Sequence, residues 1–175
     1  IISTMPIGVI DSGVGGFSIL AHLEREFSNA KFIYIADTKN FPYSEKSISQ
    51  LQALGEKNVE ILDQLSCNPI VIACNTLTVS ALTHLREVFP QKTFIGTVPA
   101  VKPASELIAP GGTVVVLATK NTAESTYLQN LIAPYRYQTH FKLIGSTVLV
   151  ESIEKWDKAA ITAELRSLLN PIVMT

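Results

Sequence analysis

Cys74 is the residue with the clearest chemical potential in this chain. It follows an apolar run, Ile70 to Ala73, and precedes Asn75-Thr76, where a helical pattern begins. A thiol at a helix start faces the positive end of the helix dipole, so a lowered pKa and a role as base or nucleophile are expected. A free cysteine is also often a small buried hydrophobe; here the polar neighbours favour function. Asp11 closes a second apolar run, Ile7 to Ile10, and leads into Ser12, Gly13, Gly15 and Gly16. Its carboxylate can hold a thiol, accept from an ammonium, or cap the next helix. Thr119, Asn121 and Thr122 follow a third run, Val114 to Ala118. Singly, Ser12, Asn75 and Thr76 read as caps and turn residues. Together, hydroxyls, an amide and backbone donors at strand ends suit a small carboxylate-bearing ligand held without a metal.

The remaining reactive types carry less. Cys67 stands seven residues before Cys74, and across an extended strand that separation is on the order of 20 Å, so the two thiols cannot face one substrate. A structural role is expected for Cys67. His22 and His84 fall in helical segments and His140 in none of the polar clusters. The glycine run invites comparison with a dinucleotide fingerprint, with Asp37 as the ribose carboxylate. That match fails because Ser18 occupies the last glycine position and Asp11 would set a negative charge against a pyrophosphate.

These residues need a scaffold that gathers strand ends. Apolar runs of three to five residues (Ile7 to Ile10, Phe32 to Ile35, Ile70 to Ala73, Phe94 to Gly96, Val114 to Ala118, and more weakly Thr139 to Leu143) alternate with segments of helical period. This rhythm predicts an α/β fold with parallel sheets covered on both faces. In such sheets ligands sit beyond the carboxyl ends of the strands, where the three polar clusters fall. A helix over about 47–65 is expected to bury Ile48, Leu51, Leu54, Ile61, Leu62 and Leu65. One over about 77–89 is expected to bury Leu82, Leu85, Val88 and Phe89. Pro99, Pro103, Pro110, Gly111 and Gly112 bracket a segment that predicts a boundary between domains 1–97 and 98–175.

The chain has 175 residues, 47% of them hydrophobic, with 14 Lys and Arg against 15 Asp and Glu. That composition buries a core and offers no block of like charge for nucleic acid or a membrane surface. Its apolar runs are far shorter than a membrane span. Ile1 to Ile10 lack the pattern of a signal peptide, and two cysteines without CxxC spacing fit a reducing compartment, so a cytoplasmic location is expected. Met5 is a candidate natural start, and the end at Thr175, just after an apolar Pro171 to Met174 segment, looks abrupt.

Several motifs, in order, resemble the glutamate racemase family. Ile7-Gly8-Val9-Ile10-Asp11-Ser12-Gly13-Val14-Gly15-Gly16 resembles its opening motif, and Ala36-Asp37-Thr38 with Asn40-Phe41-Pro42-Tyr43 its next loop. Ile72-Ala73-Cys74-Asn75-Thr76 is similar to the segment with its first catalytic cysteine. Val98-Pro99-Ala100-Val101-Lys102-Pro103-Ala104 resembles the start of its second domain. Leu117-Ala118-Thr119 with Thr122, Ser125 and Tyr127, then Leu149-Val150 with Ile153-Glu154, continue the order. Three positions depart from the family: Ser44 and Asn121 replace usual glycines, and Gly145-Ser146-Thr147 stands where Ala-Cys-Pro is usual.

The resemblance implies two doubly wound, flavodoxin-like units facing each other across a cleft, with the C-terminal portion missing. It implies racemisation of L-glutamate to D-glutamate for peptidoglycan precursor synthesis, by two thiols and no cofactor. Cys74 would be one proton-transferring thiol and Asp11 its supporting carboxylate. Ser12, Asn75, Thr76, Thr119 and Thr122 would contact substrate, as would the backbone and side chains around Pro42, Tyr43 and Ser44, with Glu154 a weaker candidate. The family's second catalytic motif, Cys-Thr-His, is absent, so these 175 residues alone are expected to be inactive. The implied partner is the small molecule glutamate, with no nucleic acid and no membrane; a homodimer is compatible, although no patch in the sequence specifies one. The alternatives are an aspartate racemase, a one-cysteine decarboxylase or isomerase of dicarboxylates, and a non-catalytic carboxylate-binding module.

Overall fold

The computed structural model describes residues 5–173; Met174 and Thr175, which close the apolar tail, lie outside them. The chain divides into two compact units, Ile1–Val98 and Pro99–Thr175. In the first, strands β1 (Ile7–Asp11), β2 (Phe32–Ala36), β3 (Ile70–Ile72) and β4 (Phe94–Gly96) form a parallel sheet in the order β2-β1-β3-β4. Helices α1 (Phe17–Glu26), α2 (Ile48–Gln64) and α3 (Asn75–Val88) make the crossovers. Successive side chains on a strand point to opposite faces, and the sheet uses both. Val9, Val71 and Ala73 pack with Ile19, Leu20 and Leu23 of α1, while Ile10, Ile70 and Ile72 pack with α2 and α3. The expected doubly wound arrangement is therefore present in this unit.

A capping box starts α2: Ser47 Oγ accepts from the Gln50 N–H at 3.3 Å, and Gln50 Oε1 accepts from the Ser47 N–H at 2.9 Å. Two N–H groups that the first turn leaves unpaired are thereby satisfied. The buried face of α2 carries Leu51, Gly55, Asn58, Val59 and Leu62. This corrects the sequence expectation, because Ile48, Ile61 and Leu65 are exposed. Counting only apolar residues rotated the predicted stripe away from the 3.6-residue face on which Gly55 and Asn58 lie. Gly55 admits close packing of α3, since a Cβ there would lie 3.2 Å from Leu85 Cδ1. On α3, Leu82 and Leu85 are buried as expected, along with Leu77 and Ala81, while Val88 is exposed.

In the second unit, β5 (Gly112–Ala118) pairs in parallel with β6 (Thr139–Gly145), from Gly112 opposite Thr139 to Ala118 opposite Gly145. Helices α5 (Lys120–Ala123) and α6 (Thr126–Ile132) lie between the strands in sequence; α4 (Val101–Leu107) precedes them, and α7 (Thr147–Glu154) and α8 (Lys158–Val173) follow. Val101, Val116, Leu128 and Ile132 form the buried core. Gly111 enters β5 at φ +83°, a left-handed conformation that costs a glycine little. No helix among the described residues is long and apolar enough to cross a membrane.

Candidate active site

Sheet order decides which strand ends meet. The chain runs from β1 outward to β2 and then returns to β3 on the other side of β1, so the direction of winding reverses between β1 and β3. A crevice forms beyond the carboxyl ends of two such strands. Ile10 lies opposite Ile72, which sets Asp11 beside Ala73 and Ser12 beside Cys74. Thr97 Oγ1 holds the end of β3 by donating to the carbonyls of Ile72 at 3.1 Å and Ala73 at 2.9 Å.

Cys74 is the N-cap of α3 and is 6% exposed. Its Sγ accepts from the Leu77 N–H at 3.4 Å, and its S–H donates to Ser12 Oγ at 3.8 Å. The helix-start position is as expected, but its electrostatic consequence is not. Burial pushes the thiol pKa up to about 11, with the nearby Asp11 carboxylate adding to the rise; the Leu77 and Ser12 hydrogen bonds oppose it only in part. A helix terminus offers a fraction of a charge, which does not compensate for removing a thiolate from water. At neutral pH this thiol is a proton donor.

The Asp11 carboxylate is 6% exposed and folds the glycine turn around itself: Oδ2 accepts from the N–H groups of Gly13 and Gly16, both at 3.1 Å. Tyr34 donates its hydroxyl to the Gly13 carbonyl at 3.0 Å from the other side. The turn is too tight for a side chain at Gly16, where a Cβ would lie 2.6 Å from the Tyr34 hydroxyl and 2.8 Å from Asp11 Cβ. Asp11 therefore organises the turn that carries Ser12 and also sets the potential at Cys74.

The loop after β2 approaches from the α2 side. Tyr43 is 2% exposed and shares a core cluster with Cys74. Its hydroxyl donates to Asp37 Oδ2 at 2.6 Å and accepts from Asn58 Nδ2 at 3.3 Å. Burial raises its pKa, as do the hydrogen bond to Asp37 and the charge of that carboxylate. Asp37 also accepts from Asn40 Nδ2 at 2.8 Å, which commits it to its own loop. Beside Tyr43, Ser44 Oγ is buried with no hydrogen-bond partner among the described residues. An unmet buried hydroxyl of this kind costs about 1–3 kcal/mol. Pro42 follows a cis peptide bond after Phe41.

Of the residues singled out in the sequence, Asp11, Ser12 and Cys74 come together in the first unit, where Asn75 is exposed and Thr76 buried on α3. Thr119, Thr122 and Glu154 belong to the second unit. There Thr119 is the N-cap of α5; its Oγ1 accepts from the Thr122 N–H at 3.2 Å and donates to Thr122 Oγ1 at 3.0 Å. Glu154 is the last residue of α7. Cys67 is fully buried before β3, at the opposite end of that strand from Cys74, and burial raises its pKa. Sequence reasoning missed Asn58, Tyr34 and Thr97. Asn58 left a trace, a polar residue at helical spacing from Leu51 and Leu62, whereas Tyr34 reads only as a strand residue. Among the described residues no group of three or more His, Cys, Asp or Glu is placed to hold a metal ion.

With that geometry in hand, the comparisons with known proteins agree among themselves. The Asp/Glu/Hydantoin racemase family model matches residues 7–174. A glutamate racemase of Clostridium acetobutylicum is 40% identical over 149 residues, 85% of this chain and 58% of that protein. One of Deinococcus radiodurans is 38% identical over 174 residues, 97% of this chain and 59% of that protein. Among solved structures, Escherichia coli glutamate racemase in complex with L-glutamate and the activator UDP-MurNAc-Ala aligns at TM-score 0.84 and 31% identity. That alignment covers 98% of this chain and 65% of the other. The Francisella tularensis glutamate racemase in complex with D-glutamate aligns at TM-score 0.70 and 28% identity, covering 87% and 57%. The chain spans less than two thirds of the curated relatives it matches.

Proposed function

The chain belongs to the Asp/Glu/Hydantoin racemase family, and from that premise we propose that it carries the first-thiol half of a cofactor-independent glutamate racemase. The observation that carries this reading is the placement of Cys74: a buried thiol capping α3 at the β1/β3 switch, touching Ser12 and sensing Asp11. The glutamate ligands of the Escherichia coli and Francisella tularensis relatives support the choice of substrate.

Inverting an α-carbon without an electron-sink cofactor needs a base on one face and an acid on the other, both already in place. Once its S–H proton has passed to solvent, the Cys74 thiolate takes the α-proton, the C–H pair remains on the α-carbon next to the carboxylate, and a second thiol donates its proton to the opposite face. The reverse reaction exchanges the roles. A thiol held near pKa 11 serves at once as the donor. To serve as the base it needs a positive charge nearby, which the substrate ammonium supplies as it approaches Asp11. Ser12, Asn75, Thr76 and the Pro42-Tyr43-Ser44 turn are the proposed substrate contacts of the first unit. With the Tyr43 hydroxyl bound to Asp37 and Asn58, the turn contributes its backbone and Ser44 Oγ. Thr119, Thr122 and Glu154 are the proposed contacts of the second unit, on resemblance. The product, D-glutamate, would supply peptidoglycan precursor synthesis.

Cys67 cannot be the second thiol from the far end of β3, so the 175 residues alone are expected not to racemise. The test is α-proton exchange in heavy water by the protein that includes the remainder of the family's length. L- and D-glutamate should both exchange, aspartate should not, and Cys74→Ala should abolish the exchange. Exchange unaffected by Cys74→Ala, or robust racemisation by the 175 residues alone, would overturn the reading.

A further inference from the structure

The buried face of α2 holds Leu51, Gly55, Val59 and Leu62, and among them one polar side chain, Asn58, 5% exposed. For packing alone this is a poor choice: asparagine is a weak helix former, and a buried amide must find partners. Asn58 Nδ2 donates to the Tyr43 hydroxyl, and that hydroxyl donates to Asp37. Helix α2 is thereby tied to the loop after β2 by a buried polar connection in place of an apolar contact. The tied element is a single 3-10 turn, Tyr43–Glu45, closed by the Lys46 N–H donating to the Tyr43 carbonyl at 3.2 Å. This turn packs against α3, the helix that Cys74 caps, and it carries the buried hydroxyl of Ser44.

We infer that Asn58 is a positioning residue for substrate binding, acting through the Tyr43 hydroxyl on the turn that carries Ser44. This rests on the reading of that turn as a substrate contact. Asn58 touches no reacting atom; it fixes where the turn stands, so its loss weakens substrate capture and leaves proton transfer by Cys74 in place. The signature is a change in KM with little change in kcat.

The experiment has two readouts on Asn58→Leu, Tyr43→Phe and the double variant. The first, independent of catalysis, is hydrogen exchange at the Lys46 amide: both single variants should exchange faster than wild type. The second is heavy-water exchange kinetics in the protein that includes the remainder of the family's length, where each single variant should raise KM for L-glutamate on the order of tenfold, with kcat within about threefold of wild type. In the double variant the effects should not multiply, because both changes break one connection. Should Asn58→Leu fail to fold, Tyr43→Phe, which removes only the hydroxyl, carries the same expectation. Unchanged Lys46 exchange, unchanged KM in an active protein, or multiplying effects would overturn the inference. Faster Lys46 exchange in a protein whose wild type racemises nothing would instead leave Asn58 holding the turn and defeat the racemase reading.

Discussion

The two units present similar small polar residues at their strand ends but bury the strands that carry them differently. In the first unit β1 is buried along four of its five residues and all of β3 is buried, with helices on both faces of the sheet. In the second, β5 and β6 each bury a single residue, Val116 and Thr139. The consequence is chemical. In the second unit Thr119, Ser125 and Ser146 cap helices and accept from backbone N–H groups, which asks nothing unusual of a hydroxyl. In the first, the same kind of cap is a thiol moved well away from its ordinary pKa, because water is excluded and, to a lesser extent, a carboxylate is buried beside it. Capping needs only local geometry, whereas a perturbed acid needs a closed layer of packed structure.

The largest expected effect of this contrast is in hydrogen exchange of this chain. Amides of β1 and β3 should exchange only through opening of the whole first unit, while β5 and β6 should exchange through smaller local openings and become labelled much sooner. Equal protection of both sheets would break the comparison.

Next in size is core truncation. Leu85→Ala removes a fully buried side chain at the α2/α3 contact and should cost about 2–5 kcal/mol in denaturant unfolding. Leu128→Ala removes an equally buried leucine from the smaller second core and should fall at the low end of that range, since a thinner surround collapses more readily.

The electrostatic difference is subtler. Alkylation of Cys74 by iodoacetamide should be slow at neutral pH and rise with a midpoint near 11, whereas Asp11→Asn should move that midpoint toward the ordinary value of 9. The sign also reaches stability. Between pH 9 and 11 the unfolded chain loses the thiol proton and the folded chain retains it, so this contribution is complete below pH 9 and lost as pH rises through 11. An alkylation midpoint indifferent to Asp11→Asn would remove the carboxylate from the account. Smallest is the loss of a cap. Ser125→Ala deletes the acceptor for the Leu128 N–H and should cost about 0.5–2 kcal/mol, measured as a shift of the unfolding midpoint, with Cys74 reactivity unchanged.

Much of this was legible in the chain itself. Apolar runs marked all six strands of the described residues, because a parallel strand covered on both faces tolerates little else. Cys74 declared itself as a thiol at a helix start by standing between such a run and a helical pattern, and Asp11 by closing the first run before a glycine turn. That Cys74 itself is the cap, a role the sequence offered to Asn75 and Thr76, came from the structure. The Tyr43 network was not legible. Asp37, Tyr43 and Asn58 are separated by a loop and most of a helix, and no local pattern says that their side chains meet. The stripe on α2 was misread for a related reason: Gly55 and Asn58 are not apolar, yet one admits α3 and the other binds Tyr43.

The sequence by itself thus determined the class of fold, the strand ends where polar groups collect, and the thiol at the start of α3, all of which follow from short-range periodicity and residue type. Tertiary structure alone decided that β3 lies beside β1, which brings Ser12 to Cys74, and that the thiol pKa rises instead of falling. The helix dipole can be read from a few neighbouring residues. Desolvation and the Asp11 charge depend on what distant parts of the chain fold around the sulfur, and at this site they outweigh the dipole.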